Sequence, residues 1–117
     1  MIFEIKPLSV NQAWQGRKFK TNKYKTWREE FGWLAYQWVK GRKKKIYKGE
    51  LAVKITVFIS PKVYKKSDVD NFCKPILDAM VESKIIEDDR FVRILSISKY
   101  QSENEGIDID IKELDNL

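Results

Sequence analysis

Strict alternation of apolar and polar residues near the middle of the chain is the feature that most limits its fold. From Leu51 to Ser60 every second residue is aliphatic, so one side of an extended segment is wholly apolar. The aliphatic positions are Leu51, Val53, Ile55, Val57 and Ile59. This pattern predicts a β-strand with one buried face, which Pro61 ends. Other elements are needed to cover that face.

The first helix is predicted between about Tyr24 and Lys40, where apolar residues recur at steps of three and four. Gly41 is expected to end this helix, because glycine readily adopts the left-handed conformation that follows a helix. The positions predicted to enter the core are Trp27, Phe31, Leu34, Ala35 and Trp38.

A second helix is predicted over roughly Asn71–Ser83. Pro75 removes a backbone donor and disfavours helical geometry at Lys74. We therefore expect a tight turn at 70–74 and a regular helix from Pro75. The predicted buried side of this helix consists of Phe72, Ile76, Ala79 and Met80.

The other segments complete an α+β fold. They are a short strand at Ile2–Lys6, a polar loop at Ser9–Lys23, and late strands at about Phe91–Gln101 and Ile107–Lys112 with a turn at Asn104–Gly106 between them. The order β-α-β-α-β-β predicts a small mixed sheet with two packed helices. With 117 residues and no repeat or linker, residues 1–117 are expected to form a single domain.

The composition excludes several kinds of chemistry. The chain has no histidine and one cysteine, Cys73, which rules out a Ser-His-Asp triad, a Cys-His pair, an internal disulfide and a Cys₄ zinc site. Catalysis would have to use carboxylates, lysine, hydroxyls or a metal held by oxygen ligands. The lone thiol, and the lack of a signal-like start or a long apolar run, predict a cytoplasmic protein.

Charge is divided unevenly along the chain. Residues 1–66 contain 17 Lys and Arg against 4 Asp and Glu, a net charge of +13. Residues 67–117 contain 6 against 13, a net charge of −7. The first half suits a polyanion and the second suits cations, although two solvated surfaces that attract each other within one domain would give the same pattern.

The densest group of ionisable residues lies in the segment 67–80. Asp68 and Asp70 are two apart, so in an extended chain both carboxylates point to one side. Lys74 lies four residues after Asp70, and Asp78 four after Lys74, a spacing that stacks the charges along one stripe of a helix.

A second acidic cluster occupies residues 87–89. A helix over 70–83 carries the chain about 20 Å away at 1.5 Å per residue. Six extended residues then return it by about 20 Å, with Ile85-Ile86 packing on the core. Asp88 or Asp89 is therefore expected to reach the aspartates of the first segment within one subunit.

Two interpretations of these acidic segments are open. Taken separately, Asp70 or Ser67 could cap a helix, Lys74 and Asp78 could form a surface ion pair, and residues 87–89 could be a solvated turn. Taken together, they match a Mg²⁺ site for phosphodiester hydrolysis. Hard oxygen ligands hold the metal, the metal activates water, and lysine offsets developing charge.

Basic segments of the chain suit DNA. From 14 to 25 there are five cations and no acid, interleaved with aromatic residues. Lysines that neutralise phosphates beside rings that stack on bases make a plausible DNA surface. The residues predicted to bind DNA are Arg17, Lys18, Lys20, Lys23, Lys65 and Lys66.

Two parts of the chain resemble the RusA family of Holliday junction resolvases. Asp68 to Met80, which reads DVDNFCKPILDAM, and the following Ile86-Glu87-Asp88-Asp89 resemble that family's signature. The earlier segment Pro7 to Trp14 resembles its N-terminal part. Where the family usually has a small residue or glycine before the acidic stretch, this chain has Lys84.

The resemblance implies a homodimeric endonuclease, usually encoded by phages or prophages, that nicks four-way DNA junctions symmetrically. It implies Mg²⁺ as cofactor, with Mn²⁺ as a substitute. The family's catalytic, metal-binding aspartates correspond to Asp68, Asp70 and Asp89, and its essential lysine corresponds to Lys74. Asp88 matches the neighbouring acid, a further candidate metal ligand.

The sequence therefore predicts a Mg²⁺-dependent crossover junction endodeoxyribonuclease that acts in DNA recombination and repair. Two alternatives stay open. The chain could be a branched-DNA-binding module that has the same fold and does not cut. It could also be an interaction protein whose basic half binds an acidic partner. No membrane partner is expected.

Overall fold

A computed structural model describes residues 1–15, 19–42 and 46–114. Its helices and strands are β1 (Ile2–Phe3), α1 (Val10–Ala13), β2 (Trp14–Gln15), β3 (Phe19–Lys20), α2 (Asn22–Arg42), β4 (Leu51–Ile59), α3 (Pro61–Lys66), α4 (Cys73–Glu82), β5 (Val92–Gln101) and β6 (Gly106–Glu113). Short 3₁₀ turns at Val69–Phe72 and Asp89–Phe91 precede α4 and β5. No helix within the described ranges is long and apolar enough to cross a bilayer.

Strand β4 lies inside a four-stranded sheet of order β1-β6-β4-β5. It runs parallel to β5 and antiparallel to β6, with Val53 opposite Leu95 on one side and Ile111 on the other. All five aliphatic residues of the predicted alternation are buried. The predictions of this strand and of a small α+β domain with a mixed sheet are confirmed.

Helices α2 and α4 supply the apolar side chains that join the buried face of β4 in one core. Phe31 of α2 stacks on Phe3 of β1 with ring centroids 4.7 Å apart. The indole Nε1 of Trp27 donates to the carbonyl of Lys6 at 2.7 Å. The four residues predicted for the buried side of the second helix are all buried, whereas Leu34 and Trp38, predicted for the core, are half-buried.

The predicted loop before the first helix is wrong in part. It contains α1 and an antiparallel pair in which Trp14 lies opposite Lys20. Helix α2 begins earlier than predicted, because the Thr21 hydroxyl accepts a hydrogen bond from the Tyr24 amide at 3.1 Å and caps its first turn. It also continues past Gly41 to Arg42.

The last two strands flank β4 instead of pairing with each other. After β5 ends, the connection crosses the end of β4, where the Ser102 amide donates to the Ile59 carbonyl at 2.8 Å. Strand β6 then returns antiparallel on the far side of β4. A turn between two strands does not by itself specify a hairpin, because pairing partners depend on the whole sheet.

A tight cap ends α4 and directs the chain towards β5. The Lys84 amide donates to the Val81 carbonyl at 3.1 Å, and the Ile85 amide donates to the Met80 carbonyl at 3.0 Å. Lys84 has a φ of 61°, the left-handed conformation that such caps require. Ile85 and Ile86 are then buried, which confirms the predicted packing of the return segment.

Replacing Lys84 with glycine should stabilise the protein. A side chain in the left-handed region costs about 1–2 kcal/mol, and the greater freedom of glycine in the unfolded chain offsets part of that gain. We expect Lys84→Gly to raise the free energy of unfolding by about 1 kcal/mol in urea titrations, with an unchanged m-value. Lys84→Ala, which loses the amine and keeps Cβ, is the control. Equal stability of the two variants would contradict this account of the cap.

Candidate active site

The first acidic segment lies on the connection between β4 and α4. Helix α3 begins this connection, with Pro61 in its first turn and the Ser60 hydroxyl accepting from the Val63 amide at 3.4 Å. The chain is then extended at Ser67 and Asp68 and turns through Val69–Phe72. Buried Phe72 anchors this turn in the core. The acidic residues are therefore held on a short, firmly attached segment.

Helix α4 begins two residues before the predicted start. Its first residue is Cys73, so Pro75 occupies the third position. Proline is tolerated there because the first amides of a helix have no partner within the helix. The tight turn expected at 70–74 is a 3₁₀ turn that ends at Phe72.

Lys99 of β5 fixes the residue that precedes Asp68. Its ammonium donates to the carbonyls of Tyr64 at 2.8 Å and Ser67 at 2.7 Å. It also lies 4.2 Å from the centroid of the Tyr64 ring. These contacts join the end of α3 to the sheet. Lys99 is not among the predicted site residues, because a single lysine in a strand gives no sign of a partner more than thirty residues away.

The interpretation of Ser67 or Asp70 as a helix N-cap is not supported, because Ser67 lies at the C-terminal end of α3. Asp68 occupies the N-cap position of the 3₁₀ turn, but within the described residues its carboxylate makes no capping hydrogen bond. The residue at the N-cap of α4 is Phe72, so Asp70 does not cap that helix. Both aspartates are exposed, and their oxygens are available to other ligands.

The second acidic cluster forms a hydrogen-bonded pair. The Asp88 carboxylate accepts from the Arg90 amide at 3.0 Å, and this bond is the main cause that lowers the pKa of Asp88. Partial burial, followed by the hydrogen bond and charge of Asp88, raises the pKa of Asp89. The two pKa values therefore shift in opposite directions, as expected for neighbouring acids that interact.

Cys73 lies near both acidic segments. Burial raises the pKa of its thiol, and the negative charges of Asp70 and then Asp89 raise it further. Lys74 lies close enough to lower the pKa of Asp89 and forms an ion pair with Asp78 at 3.5 Å. The structure thus places Asp70 and Asp89 near Cys73, and Lys74 near Asp89. In the described part of the chain, no hydrogen bond or ion pair joins the Asp68 side chain to this group.

An open pocket of about 360 Å³ adjoins the acidic pair. Its lining residues are Arg28, Asp78, Val81, Glu82, Asp88 and Asp89. Arg28 comes from α2, and no local motif marked it as part of a site. Asp78 belonged to the predicted stripe of charges but was not among the predicted site residues.

The chemistry of these side chains suits a hard divalent cation, because carboxylate oxygens are the ligands that Mg²⁺ prefers. Across the described ranges, however, no group of three or more His, Cys, Asp or Glu side chains is arranged to hold a metal ion. The assignment of Asp68, Asp70 and Asp89 as Mg²⁺ ligands stays a prediction that rests on donor type and position.

The predicted DNA-binding residues are only partly within the described structure. Arg17 and Lys18 lie outside it, and Lys20 is part of β3. Lys23 is exposed in the first turn of α2. Lys65 and Lys66 are exposed at the end of α3, just before Asp68, and Lys66 lines a groove of about 260 Å³ with Ser9 and Lys62. Cations therefore lie directly beside the first acidic segment.

A small α+β domain with an acidic pocket, a lysine at its edge and flanking cations has the features of an enzyme that cleaves phosphodiester bonds. Residues 5–112 match the family model described as Endodeoxyribonuclease RusA. The chain belongs to this family of nucleases, which confirms the resemblance seen in its motifs. A search of curated proteins finds no match.

The reactivity of Cys73 can test the proximity of Asp70 and Asp89. Removing either negative charge should lower the thiol pKa and increase the thiolate fraction about two- to fivefold at neutral pH. Asp70→Asn and Asp89→Asn should each speed alkylation by iodoacetamide by that factor, measured by intact mass. Asp110→Asn, a change at an exposed aspartate of β6, is the matched control. An unchanged rate in Asp89→Asn would place Asp89 away from the thiol.

Proposed function

We propose that this protein is a Mg²⁺-dependent endonuclease that resolves four-way DNA junctions by paired nicks. Membership of the RusA endodeoxyribonuclease family supports the reaction class. The observation that carries the proposal is that Asp70 and Asp89 both lie near Cys73 and that Lys74 lies near Asp89. Asp70 and Asp89 lie nineteen positions apart in sequence, and a solvated turn or an isolated helix cap would not place both near the same thiol.

In this proposal Asp68, Asp70 and Asp89 hold the metal. A bound divalent ion would supply Lewis-acid chemistry, polarising the scissile phosphate and lowering the pKa of a water molecule. Asp88 lies beside Asp89 and accepts a hydrogen bond from its protonated carboxyl, which helps to orient Asp89. Because Asp88 already accepts the Arg90 amide, we assign it mainly to this supporting role.

Lys74 is the proposed electrostatic catalyst. Its side chain is 61% exposed, so its ammonium can reach a phosphate that approaches the acidic pocket. Charge builds up on the phosphate oxygens in the transition state, and a fixed cation stabilises that charge more than it stabilises the ground state. Lys74 would therefore act on the rate of cleavage more than on the affinity for DNA.

The exposed lysines of α3 are proposed to hold the DNA backbone. Lys62, Lys65 and Lys66 belong to a single helix that leads into Asp68. Phosphates bound by these side chains would place the next part of the strand at the carboxylates. This arrangement also counters the repulsion between DNA and the acidic pocket.

We further propose that the active form is a homodimer and that a four-way junction is its substrate. A junction of this kind has two-fold symmetry, and two nicks in opposed strands require two equivalent active sites. Two copies of this chain related by a two-fold axis would supply them.

Asp70→Asn should separate cutting from binding. The change keeps the shape of the side chain and removes a charge, so a strong metal ligand becomes a weak one. Cleavage of a labelled four-way junction in Mg²⁺ should fall below detection, whereas the wild type gives paired, symmetrical nicks. Junction binding in EDTA should persist or tighten, because one carboxylate no longer repels the phosphates.

Asp110→Asn is the matched control for this experiment, since it removes an equal charge from the opposite side of the sheet. It should cut at the wild-type rate, and thermal melts should show both variants folded. Normal cutting by a folded Asp70→Asn would refute the active-site assignment. Binding to junctions without cutting by the wild type would favour the non-catalytic alternative.

Loss of Lys65 and Lys66 should weaken junction binding in a salt-dependent way. Each lost phosphate contact lowers the slope of log K against log salt by about 0.9, so the double alanine variant should lose about 1–2 from this slope. Gel-shift titrations at several salt concentrations give the value. The control, Lys54→Ala with Lys112→Ala, removes the same charge from the other face of the sheet. An equal loss in both variants would mean that the effect comes from net charge alone.

A further inference from the structure

A network of polar side chains runs from α2 into the pocket beside the acidic pair. Arg28 forms an ion pair with Glu82 of α4, and its Nη1 donates to the Tyr24 hydroxyl at 2.6 Å. The Tyr24 hydroxyl is also hydrogen-bonded to Asp78, which forms the ion pair with Lys74. Together these contacts link α2 with the lysine at the edge of the pocket.

Two members of this network are unusual in their burial. Tyr24 is completely buried, and the Arg28 side chain is only 10% exposed. Among the residues that the structure describes, the buried Nε of Arg28 finds no hydrogen-bond partner. Burying a hydroxyl and a guanidinium carries a desolvation cost that their partners must offset. The guanidinium also lies 5.2 Å from the centroid of the Tyr24 ring, which adds a cation–π contact.

The attachment of α2 to α4 does not explain why residue 24 is a tyrosine with a hydroxyl group. The ion pair between Arg28 and Glu82 already joins the two helices, and a phenylalanine ring would fill the same space without a polar group to satisfy. What the hydroxyl adds is a fixed partner for one oxygen of Asp78. With that carboxylate immobilised, the ion pair at 3.5 Å restrains the otherwise mobile Lys74 side chain.

We infer that Tyr24 and Arg28 are positioning residues, which act through Asp78 to hold the Lys74 ammonium at the edge of the acidic pocket. Arg28 orients the Tyr24 hydroxyl so that its proton is donated to Asp78. Asp78, in turn, keeps Lys74 directed towards the place where phosphate charge develops. The inference rests on the proposed function, because it assigns these residues to the same reaction.

Tyr24→Phe tests this inference, because it removes one oxygen atom and keeps the ring. Under single-turnover conditions we expect cleavage to slow about tenfold, the equivalent of one lost hydrogen bond, with an unchanged Kd for the junction. Tyr36→Phe removes an exposed hydroxyl from the same helix and should cut at the wild-type rate. Thermal melts confirm folding. If Tyr24→Phe does not fold, Arg28→Lys tests the same side-chain network.

A double-mutant cycle identifies the route of the effect. If Tyr24 acts through Asp78, the combination of Tyr24→Phe with Asp78→Asn should be no slower than Asp78→Asn alone. If the factors by which the two substitutions slow cleavage multiply in the double variant, Tyr24 acts independently of Asp78 and the inference is overturned. A wild-type rate in a folded Tyr24→Phe would also overturn it. Failure of the proposed function would give different results from failure of this inference, because the wild type would then not cut the junction or Lys74→Ala would cut it normally.

Discussion

The parallel pairing of β4 with β5 is the constraint on which the candidate site depends. Two neighbouring parallel strands cannot be joined by a tight turn, so the chain must cross back to the starting end of the sheet. Here the crossover consists of α3, the 3₁₀ turn and α4. It carries the first acidic segment outwards and returns the second to the start of β5. Asp70 and Asp89 can therefore both lie near Cys73, although nineteen positions separate them in sequence.

The exposed groups of the site depend on half-buried and buried polar groups that other elements supply. Lys99 in β5 holds the carbonyl before Asp68, and Tyr24 in α2 holds Asp78. Partial exclusion of water strengthens each such contact and makes its polar groups costly to leave unpaired. A site on a short connection can be well ordered in this way, while the carboxylates themselves stay accessible to solvent and substrate.

Elements with a local pattern could be predicted from the sequence, and contacts between distant elements could not. The alternation in β4 and the buried side of α4 are periodic, so their burial followed directly. Helix α3 was missed because six residues carry little periodicity, although Ser60 before Pro61 is a recognisable start signal. The placement of β6 beside β4 and the contacts of Lys99 and Arg28 depend on tertiary packing, which no single segment encodes.

The uneven distribution of charge has a physical rationale at this site. Carboxylates gathered for a cation repel DNA phosphates, so a domain with acidic groups alone would bind its substrate weakly. Cations on the adjoining helix, such as Lys65 and Lys66, supply the attraction a short distance away. Repulsion is then confined to the point of cleavage, where a bound divalent ion would reverse its sign. On this view, the acidic second half and the basic first half of the chain serve one task, and neither would be effective without the other.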